Sequence, residues 1–244
     1  LTKPFNGTLC SQDGDEYDVK NNIIDILGGQ PDFSSLASYT NHWKLTATIY
    51  EEIWRKRSLS LLTGEDFPIE KEHELLIEWT EPKENGLYLD LGCSTALYGR
   101  ALKAAQSKAD IVGLDFSMQM LEEARLKAEA DETNLFFVRA DGKEMPFFSK
   151  TFDGIVMGGT LNELTEELKV LYEARRVLKE DGVLFIMHLI KADAWYGRLL
   201  QESMGIGGIK FWTKDESNKL FKQAGFKVEE QITRGIVCFT RLRA

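Results

Sequence analysis

The stretch from Leu87 to Asp115 constrains the fold more than any other part of this 244-residue chain. It begins with an apolar run that ends in Asp90 and Leu91 and is followed by Gly92. This pattern is typical of a buried parallel strand that opens into a tight turn, where glycine can adopt a positive φ. A helix rich in alanine, leucine and lysine follows, and a second apolar run ends at Asp115. The stretch therefore predicts a β–α–β unit of an α/β sheet.

The charges around this unit favour one kind of ligand. An acid at the end of the second strand, here Asp115, can accept hydrogen bonds from a ribose diol. The tight G-x-G-x-x-G of a pyrophosphate site is absent, because the next glycine after Gly92 is Gly99. Asp90 would also repel a pyrophosphate, whereas it would attract an amino-acid ammonium. S-adenosyl-L-methionine fits these charges, because it carries an adenosine, an ammonium and a sulfonium but no phosphate.

Three segments resemble the class I S-adenosylmethionine-dependent methyltransferases. Residues 87–99 resemble motif I, with Ser94 and Ala96 where the family often has glycine, and residues 115–125 resemble motif II. The string ADGKEMPFFSKTFDGIVM, residues 140–157, is similar to the ubiquinone- and menaquinone-type branch. The resemblance covers roughly residues 80–244. It implies a doubly wound, seven-stranded Rossmann-like sheet with a C-terminal antiparallel hairpin in the domain at 81–244.

The same resemblance implies S-adenosyl-L-methionine as the cofactor and a set of residues that would hold it. The motif II acid would bind the ribose, the residues after it would flank the adenine, and an acid after the third strand would face the adenine amine. Each acid also has a structural alternative. The motif II acid could stabilise a helix dipole, and the acid after the third strand could simply form an Asp-Gly turn. The cofactor-binding candidates are Asp90, Gly92, Cys93, Ser94, Asp115, Phe116, Met118, Asp141, Gly142 and Gly158.

Three residues are candidates for the chemistry of methyl transfer. Asn162 and Glu163 follow the predicted fourth strand, at a turn where many relatives have histidines. His188 lies late in the predicted fifth strand and could act as a base near neutral pH. A lone histidine on a strand is, however, more often a packed core residue. A base is needed only if the acceptor must lose a proton before it attacks.

Aromatic residues in two segments are candidates for contact with the methyl acceptor. Residues 32–80 are expected to form a helical lid, and residues 190–210 a substrate-covering insertion. An aromatic stripe at helical spacing is more often core packing, and the tryptophan before the helix that Thr213 caps is also expected to pack against the fold. The substrate-binding candidates are Tyr50, Trp54, Trp195, Tyr196 and Trp212.

The polar, turn-rich residues 1–31 predict a small N-terminal β-appendage. This segment resembles the zinc ribbon attached to some methyltransferases, with Cys10 as the one remaining ligand. One cysteine cannot build a tetrahedral zinc site, so we expect no metal. The three cysteines of the chain lack C-x-x-C spacing, which fits a reducing compartment.

Composition limits the partners. With 30 basic and 39 acidic residues the net charge is −9, which argues against a nucleic-acid partner. No apolar run approaches the roughly 20 residues of a membrane span. We therefore expect a cytoplasmic monomer or homodimer that acts on a small molecule. An organelle stroma, reached after removal of a targeting peptide, is the alternative location.

The expected function is methyl transfer to a small, largely apolar molecule such as a quinone, polyketide, terpenoid or other specialised metabolite. Two alternatives stay open. The zinc-ribbon-like segment suggests methylation of a ribosomal RNA base, which the net charge opposes. The altered motif I suggests a non-catalytic module that binds S-adenosylmethionine.

Overall fold

The computed structural model describes residues 6–10, 16–28, 56–195, 198, 201, 202 and 208–244. Ten strands of this part of the chain form one sheet. The strands are β1 (Gly7–Cys10), β2 (Glu16–Lys20), β3 (Ile23–Asp25), β4 (Leu87–Leu91), β5 (Asp110–Asp115), β6 (Phe136–Arg139), β7 (Phe152–Gly158), β8 (Leu178–Leu189), β9 (Lys227–Arg234) and β10 (Val237–Arg243). Their spatial order is β1-β2-β3-β6-β5-β4-β7-β8-β10-β9.

The predicted α/β sheet with a C-terminal hairpin is confirmed. Strands β6, β5, β4, β7 and β8 are parallel, and their apolar residues face a helical layer on either side. Strand β10 pairs antiparallel with both β8 and β9. These seven strands are the predicted set, and the three N-terminal strands extend the sheet to ten.

The N-terminal strands are part of the main sheet. Strands β1, β2 and β3 form an antiparallel meander, and β3 pairs in parallel with β6. Ile23 lies opposite Phe137 in this pairing, and both side chains are buried. The side chain of Cys10 lies outside the described residues. Among those that are described, no cluster of three or more His, Cys, Asp or Glu residues could hold a metal.

Helices cover both faces of the sheet. They are α1 (Lys56–Thr63), α2 (Ile69–Thr80), α3 (Leu97–Ala105), α4 (Met118–Ala130), α5 (Glu167–Val177) and α6 (Lys214–Gln223), with a 3-10 helix at Thr160–Glu163. Helices α1 to α4 pack against one face, which includes Tyr88 and Phe185. Helices α5 and α6 pack against the other face, which includes Leu89 and Ile186. The two faces alternate along each strand because neighbouring side chains point in opposite directions.

Two helix starts carry side-chain caps, and the one at Thr213 was predicted from the sequence. The Ser117 hydroxyl accepts a hydrogen bond from the Met120 N–H at the start of α4. Thr213 and Glu216 form a reciprocal capping box at the start of α6. Across the described ranges, no helix is both long enough and apolar enough to cross a membrane.

Candidate functional site

The loop after β4 lies where the sheet changes direction. From β4 the chain continues to β5 on one side, and later to β7 on the other. Such a switch point leaves a crevice at the carboxyl ends of the strands, where α/β proteins bind ligands. The N–H groups of Gly92 and Cys93 both donate to the Leu114 carbonyl, at 2.8 and 3.0 Å. Gly92, Ser94 and Ala96 all have positive φ, so the loop is a tight turn held against β5.

Asp115 connects this loop to helix α4. Its Oδ2 accepts from the Ser94 N–H at 2.8 Å, and its Oδ1 accepts from the Ser117 N–H at 2.9 Å. An ionised carboxylate has about four acceptor positions, so it can hold two backbone groups and also a ligand diol. The structure thus places Asp115 at the crevice, and its contact with a ribose stays a prediction.

The two candidates that follow Asp115 also lie at this end of the sheet. Phe116 and Met118 are both half-buried. The Phe116 carbonyl accepts a hydrogen bond from Arg139 Nε at 3.1 Å, and Met118 packs against the layer of α1 to α4. Their contact with an adenine ring stays a prediction.

Asp90 and Cys93 lie deeper than the other candidates. Asp90 is buried, and its Oδ2 accepts from the Gly99 N–H at 2.8 Å, which holds the first turn of α3. Burial raises the pKa of the Cys93 thiol well above its ordinary value, and the charges of Asp115 and Asp90 add to this effect. The thiol is therefore protonated and packed in the core. The cofactor contacts of both residues stay predictions.

Gly158 makes room for a side chain of the protein. A Cβ atom at Gly158 would lie 2.7 Å from Cε2 of Tyr98, whose hydroxyl donates to Glu72. The ring of Tyr98 therefore requires glycine at this position, and the predicted contact of Gly158 with the cofactor stays a prediction. Gly92 also makes room for a side chain of the protein, since a Cβ atom at this position would lie 2.4 Å from Cγ2 of Thr160.

Asp141 adopts the turn that its Asp-Gly sequence favours. Its Oδ1 accepts from the Lys143 N–H at 2.9 Å, and its Oδ2 lies 3.4 Å from Lys143 Nζ. Gly142 has only ordinary contacts, since its Cβ would lie 3.5 Å from Leu91 and from Val170. The proposed contact of Asp141 and Gly142 with adenine stays a prediction.

Glu163 is the last residue of the 3-10 helix that follows β7, and its carboxyl has a raised pKa. Burial, and then the negative charge of Asp115, raise the pKa of the Glu163 carboxyl to about 7. A base is most effective when its pKa lies near the working pH. The catalytic role of Glu163 stays a prediction.

Asn162 holds two segments of backbone together. Its Nδ2 donates to the carbonyls of Leu189 and Lys210, at 2.8 and 2.6 Å, and its Oδ1 accepts from the Leu189 N–H at 2.8 Å. The side chain is buried, and both polar atoms are used. This corrects the expectation of a catalytic role, because Asn162 joins the end of β8 to the chain that leads into α6.

His188 packs in the core under α6. It shares the face of β8 that includes Leu184 and Ile186, under α5 and α6, and its ring meets Phe221 edge-on at 5.7 Å. It is fully buried, and neither ring nitrogen has a hydrogen-bond partner among the described residues. Burial lowers the pKa of His188 to about 3. The expected catalytic role is therefore wrong, and the packed-core alternative holds.

The candidates for substrate contact differ in where the structure places them. Trp212 is buried among the apolar side chains under α5 and α6, so its expected contact with substrate is corrected to core packing. Trp195 is 76% exposed and stays a candidate. Tyr50, Trp54 and Tyr196 lie outside the described residues.

Three residues of this region were not predicted from the sequence as site residues. Tyr98 and Glu72 form a buried pair between α3 and α2, and Arg139 reaches the carbonyl of Phe116. Arg139 had a signal in the sequence, since it is a charged residue at the end of an otherwise apolar strand. Glu72 had none, because an acid in a polar helix is usually exposed.

Comparison with known proteins agrees with this geometry. A family described as a methyltransferase domain matches residues 89–182. An uncharacterised chloroplastic methyltransferase of Arabidopsis thaliana is 24% identical, over 96% of this chain and 70% of the relative. The demethylmenaquinone methyltransferase of Thermotoga maritima is 34% identical over 48% of each chain. A solved S-adenosylmethionine-dependent methyltransferase from Aquifex aeolicus superposes with a TM-score of 0.60, at 24% identity, over 78% of this chain and 96% of that one.

The sheet order, the crevice and these matches define a Rossmann-like methyltransferase. The matches to a 2-phytyl-1,4-naphtoquinone methyltransferase of Trichormus variabilis and to the Thermotoga maritima protein span 58% and 48% of those relatives. The predicted resemblance to the class I S-adenosylmethionine-dependent methyltransferases, and within them to the quinone-type branch, is confirmed.

Proposed function

We propose that this chain binds S-adenosylmethionine at the carboxyl ends of β4, β5 and β6 and transfers the methyl group to a small, largely apolar acceptor. The observation that carries the proposal is the hydrogen bond from Ser94 to Asp115, which joins the two loops at the switch point of the sheet. Backbone groups and a carboxylate are thereby held where a nucleoside can meet them.

The charges of this region suit a cationic cofactor. Asp90 and Asp115 lie at the ends of β4 and β5, and Asp141 and Glu163 follow β6 and β7. An ammonium and a sulfonium are attracted by such acids, whereas a pyrophosphate would be repelled. In this proposal Asp115 holds the ribose diol, Phe116 and Met118 flank the adenine, and Asp141 with Gly142 faces its exocyclic amine.

The chemistry needs little from the protein beyond placement and a base. S-adenosylmethionine, when bound, supplies a methyl group that is already activated by its sulfonium. The crevice would hold the acceptor in line with that methyl group, and proximity of this kind can lower a barrier by several kcal/mol. Glu163 would take the proton that an acidic acceptor loses before it attacks. Its carboxyl pKa of about 7 makes it half-ionised near neutral pH.

The acceptor proposed here is a reduced naphthoquinone with an apolar side chain. Two relatives, each at least 31% identical over about half of this chain, are named for demethylmenaquinone and for 2-phytyl-1,4-naphtoquinone. A naphthoquinol can lose a proton, which matches the proposed role of Glu163, and its apolar tail suits an exposed tryptophan such as Trp195. The chloroplastic relative favours the organelle stroma over the cytoplasm as the location.

The test has a binding step and a turnover step. S-adenosylhomocysteine is titrated calorimetrically into the full chain, and saturable heat is expected. Labelled methyl groups from S-adenosylmethionine are then followed into a chemically reduced, prenylated naphthoquinone. The Glu163→Gln variant should bind S-adenosylhomocysteine like the wild type but lose turnover, and Glu163→Asp should keep part of it.

Other results would favour the alternatives. Binding without a labelled product from any small molecule supports a non-catalytic module. Label in total RNA, with an affinity that falls steeply with salt, supports an RNA methyltransferase. No binding of S-adenosylhomocysteine would refute the proposal as a whole.

A further inference from the structure

Arg139 links the N-terminal strands to the proposed nucleoside site. It is the last residue of β6, and in the sheet it lies directly between Asp25 of β3 and Asp115 of β5. Arg139 and Asp25 are among the buried charged residues, with 5% and 6% of their surface exposed. A charge is seldom buried unless it is paired, so the partners of this guanidinium define its role.

On one side, the guanidinium holds the end of β3. Arg139 Nη1 lies 3.3 and 3.2 Å from the two carboxylate oxygens of Asp25, and it also donates to the Gly28 carbonyl at 2.7 Å. The Asp25 carboxylate in turn accepts from the N–H groups of Leu27 and Gly28, at 3.1 and 3.0 Å. These bonds tie residues 25–28 into one unit around the charge pair.

On the other side, Arg139 holds the loop after β5. Its Nε donates to the Phe116 carbonyl at 3.1 Å. Phe116 is the residue proposed to face the adenine, and Asp115 before it is the residue proposed to hold the ribose. The guanidinium is planar and rigid, so Nε and Nη1 cannot move independently. A change in the position of Asp25 is therefore transmitted to the Phe116 carbonyl.

We infer that Arg139, held by Asp25, is a positioning residue that sets the place of Phe116 in the nucleoside site. The N-terminal strands lie outside the seven-stranded sheet predicted from sequence. According to this inference, they help to position the cofactor site. This inference rests on the proposed function, because it concerns the same crevice.

The test uses two variants of the full chain. Asp25→Asn removes the charge that holds Arg139. Arg139→Lys keeps a cation for Asp25 but loses the rigid fork that also reaches Phe116. Loss of one such hydrogen bond corresponds to a change of about three- to tenfold in affinity. We expect both variants to bind S-adenosylhomocysteine about three- to tenfold more weakly, by calorimetric titration.

A purely structural role would not produce the same pattern of effects. The nucleoside fragment 5′-methylthioadenosine should lose affinity by the same factor as S-adenosylhomocysteine, since the change lies at the nucleoside end. In steady-state assays, KM for S-adenosylmethionine should rise while kcat changes less than about twofold, because saturation restores occupancy. Arg139→Lys should lose less stability than Asp25→Asn, although both lose affinity.

The matched control is Asp153→Asn. Asp153 also joins a backbone N–H, that of Leu87, to a cation, Lys179, but it does so at the opposite end of the sheet from the crevice. This variant should lose stability and keep the wild-type Kd.

The outcomes separate this inference from the proposed function. If the wild type binds and both variants keep the wild-type Kd, this inference is overturned and the proposed function stands. It is also overturned if Asp153→Asn weakens binding as much as the two variants do. If the wild type does not bind S-adenosylhomocysteine, both proposals fall together.

Discussion

The backbone N–H of Ser94 donates to Oδ2 of Asp115 at 2.8 Å, across the gap between the ends of β4 and β5. Since the other oxygen of this carboxylate accepts from the Ser117 N–H, one side chain sets the spacing between the loop after β4 and the first turn of α4. Two loops that are distant in sequence thus form a single edge of the crevice.

Replacement of Asp115 by asparagine tests this relationship. An amide has one acceptor oxygen, so its NH2 group would face a backbone donor and one of the two hydrogen bonds would be lost. We expect a loss of about 1–3 kcal/mol in the free energy of unfolding, measured in urea. We also expect affinity for S-adenosylhomocysteine to fall about tenfold or more. Glu84→Gln, at the exposed ion pair with Lys108, is the control that should change neither property. Wild-type binding by Asp115→Asn would contradict the assignment.

Glu163 should give the chain a distinct pH dependence of stability. The carboxyl pKa is about 7 in the folded chain, against an ordinary value of 4.5, so the folded state holds this proton more tightly. Between pH 4.5 and 7 its contribution to the free energy of unfolding must therefore fall as pH rises. Glu163→Gln is neutral at every pH and should be more stable than the wild type at pH 8, by about 1–3 kcal/mol.

Urea unfolding at pH 4, 6 and 8 checks this prediction. The two proteins should have similar stability at pH 4, where the wild-type carboxyl is also neutral. Glu166→Gln is the control, because hydrogen bonds to Lys169 and Lys143 lower the pKa of that exposed carboxyl. An unchanged pH profile in Glu163→Gln would show that this carboxyl is ionised like one in water.

Asn162 should matter for stability more than for chemistry. Asn162→Ala removes three hydrogen bonds to backbone groups and leaves buried partners without replacements, so we expect a loss of about 2–4 kcal/mol. Asn162→Asp should be no better, because a carboxylate cannot donate to the carbonyls of Leu189 and Lys210. Thermal unfolding and turnover at a temperature where the variants are folded would check this. Loss of kcat with an unchanged Tm would restore a catalytic role.

His188 should make the chain sensitive to acid. Its pKa is about 3 in the folded chain and 6.5 ordinarily, so between these values the unfolded chain binds a proton that the folded chain does not. Stability from this site is present above pH 6.5 and is lost as pH falls toward 3. His188→Leu should remove that slope and be about 1–3 kcal/mol more stable at pH 5, since no buried imidazole then lacks partners. Urea unfolding at pH 5 and 7.5 measures the effect, and turnover should be unchanged. Loss of turnover in a folded His188→Leu protein would revive the idea of a base.

Local patterns in the sequence were enough for the elements around the crevice. The apolar run before Gly92, the cap at Ser117 and the capping box at Thr213 all act over a few neighbouring residues. The C-terminal hairpin, which the family resemblance implied, is present with its strands at Lys227–Arg234 and Val237–Arg243. Neighbours along the chain are enough to specify such features, so the sequence by itself determined them.

Only the tertiary structure decided which side chains meet. Several contacts join residues that are far apart in sequence. They are the pairing of β3 with β6, the hydrogen bonds of Asn162 to Leu189 and Lys210, and the packing of the Tyr98 ring over Gly158. The face to which His188 points was decided in the same way, because a strand pattern does not say which helix covers each face. These contacts depend on close packing between distant segments, and a pattern of neighbours carries no information about that.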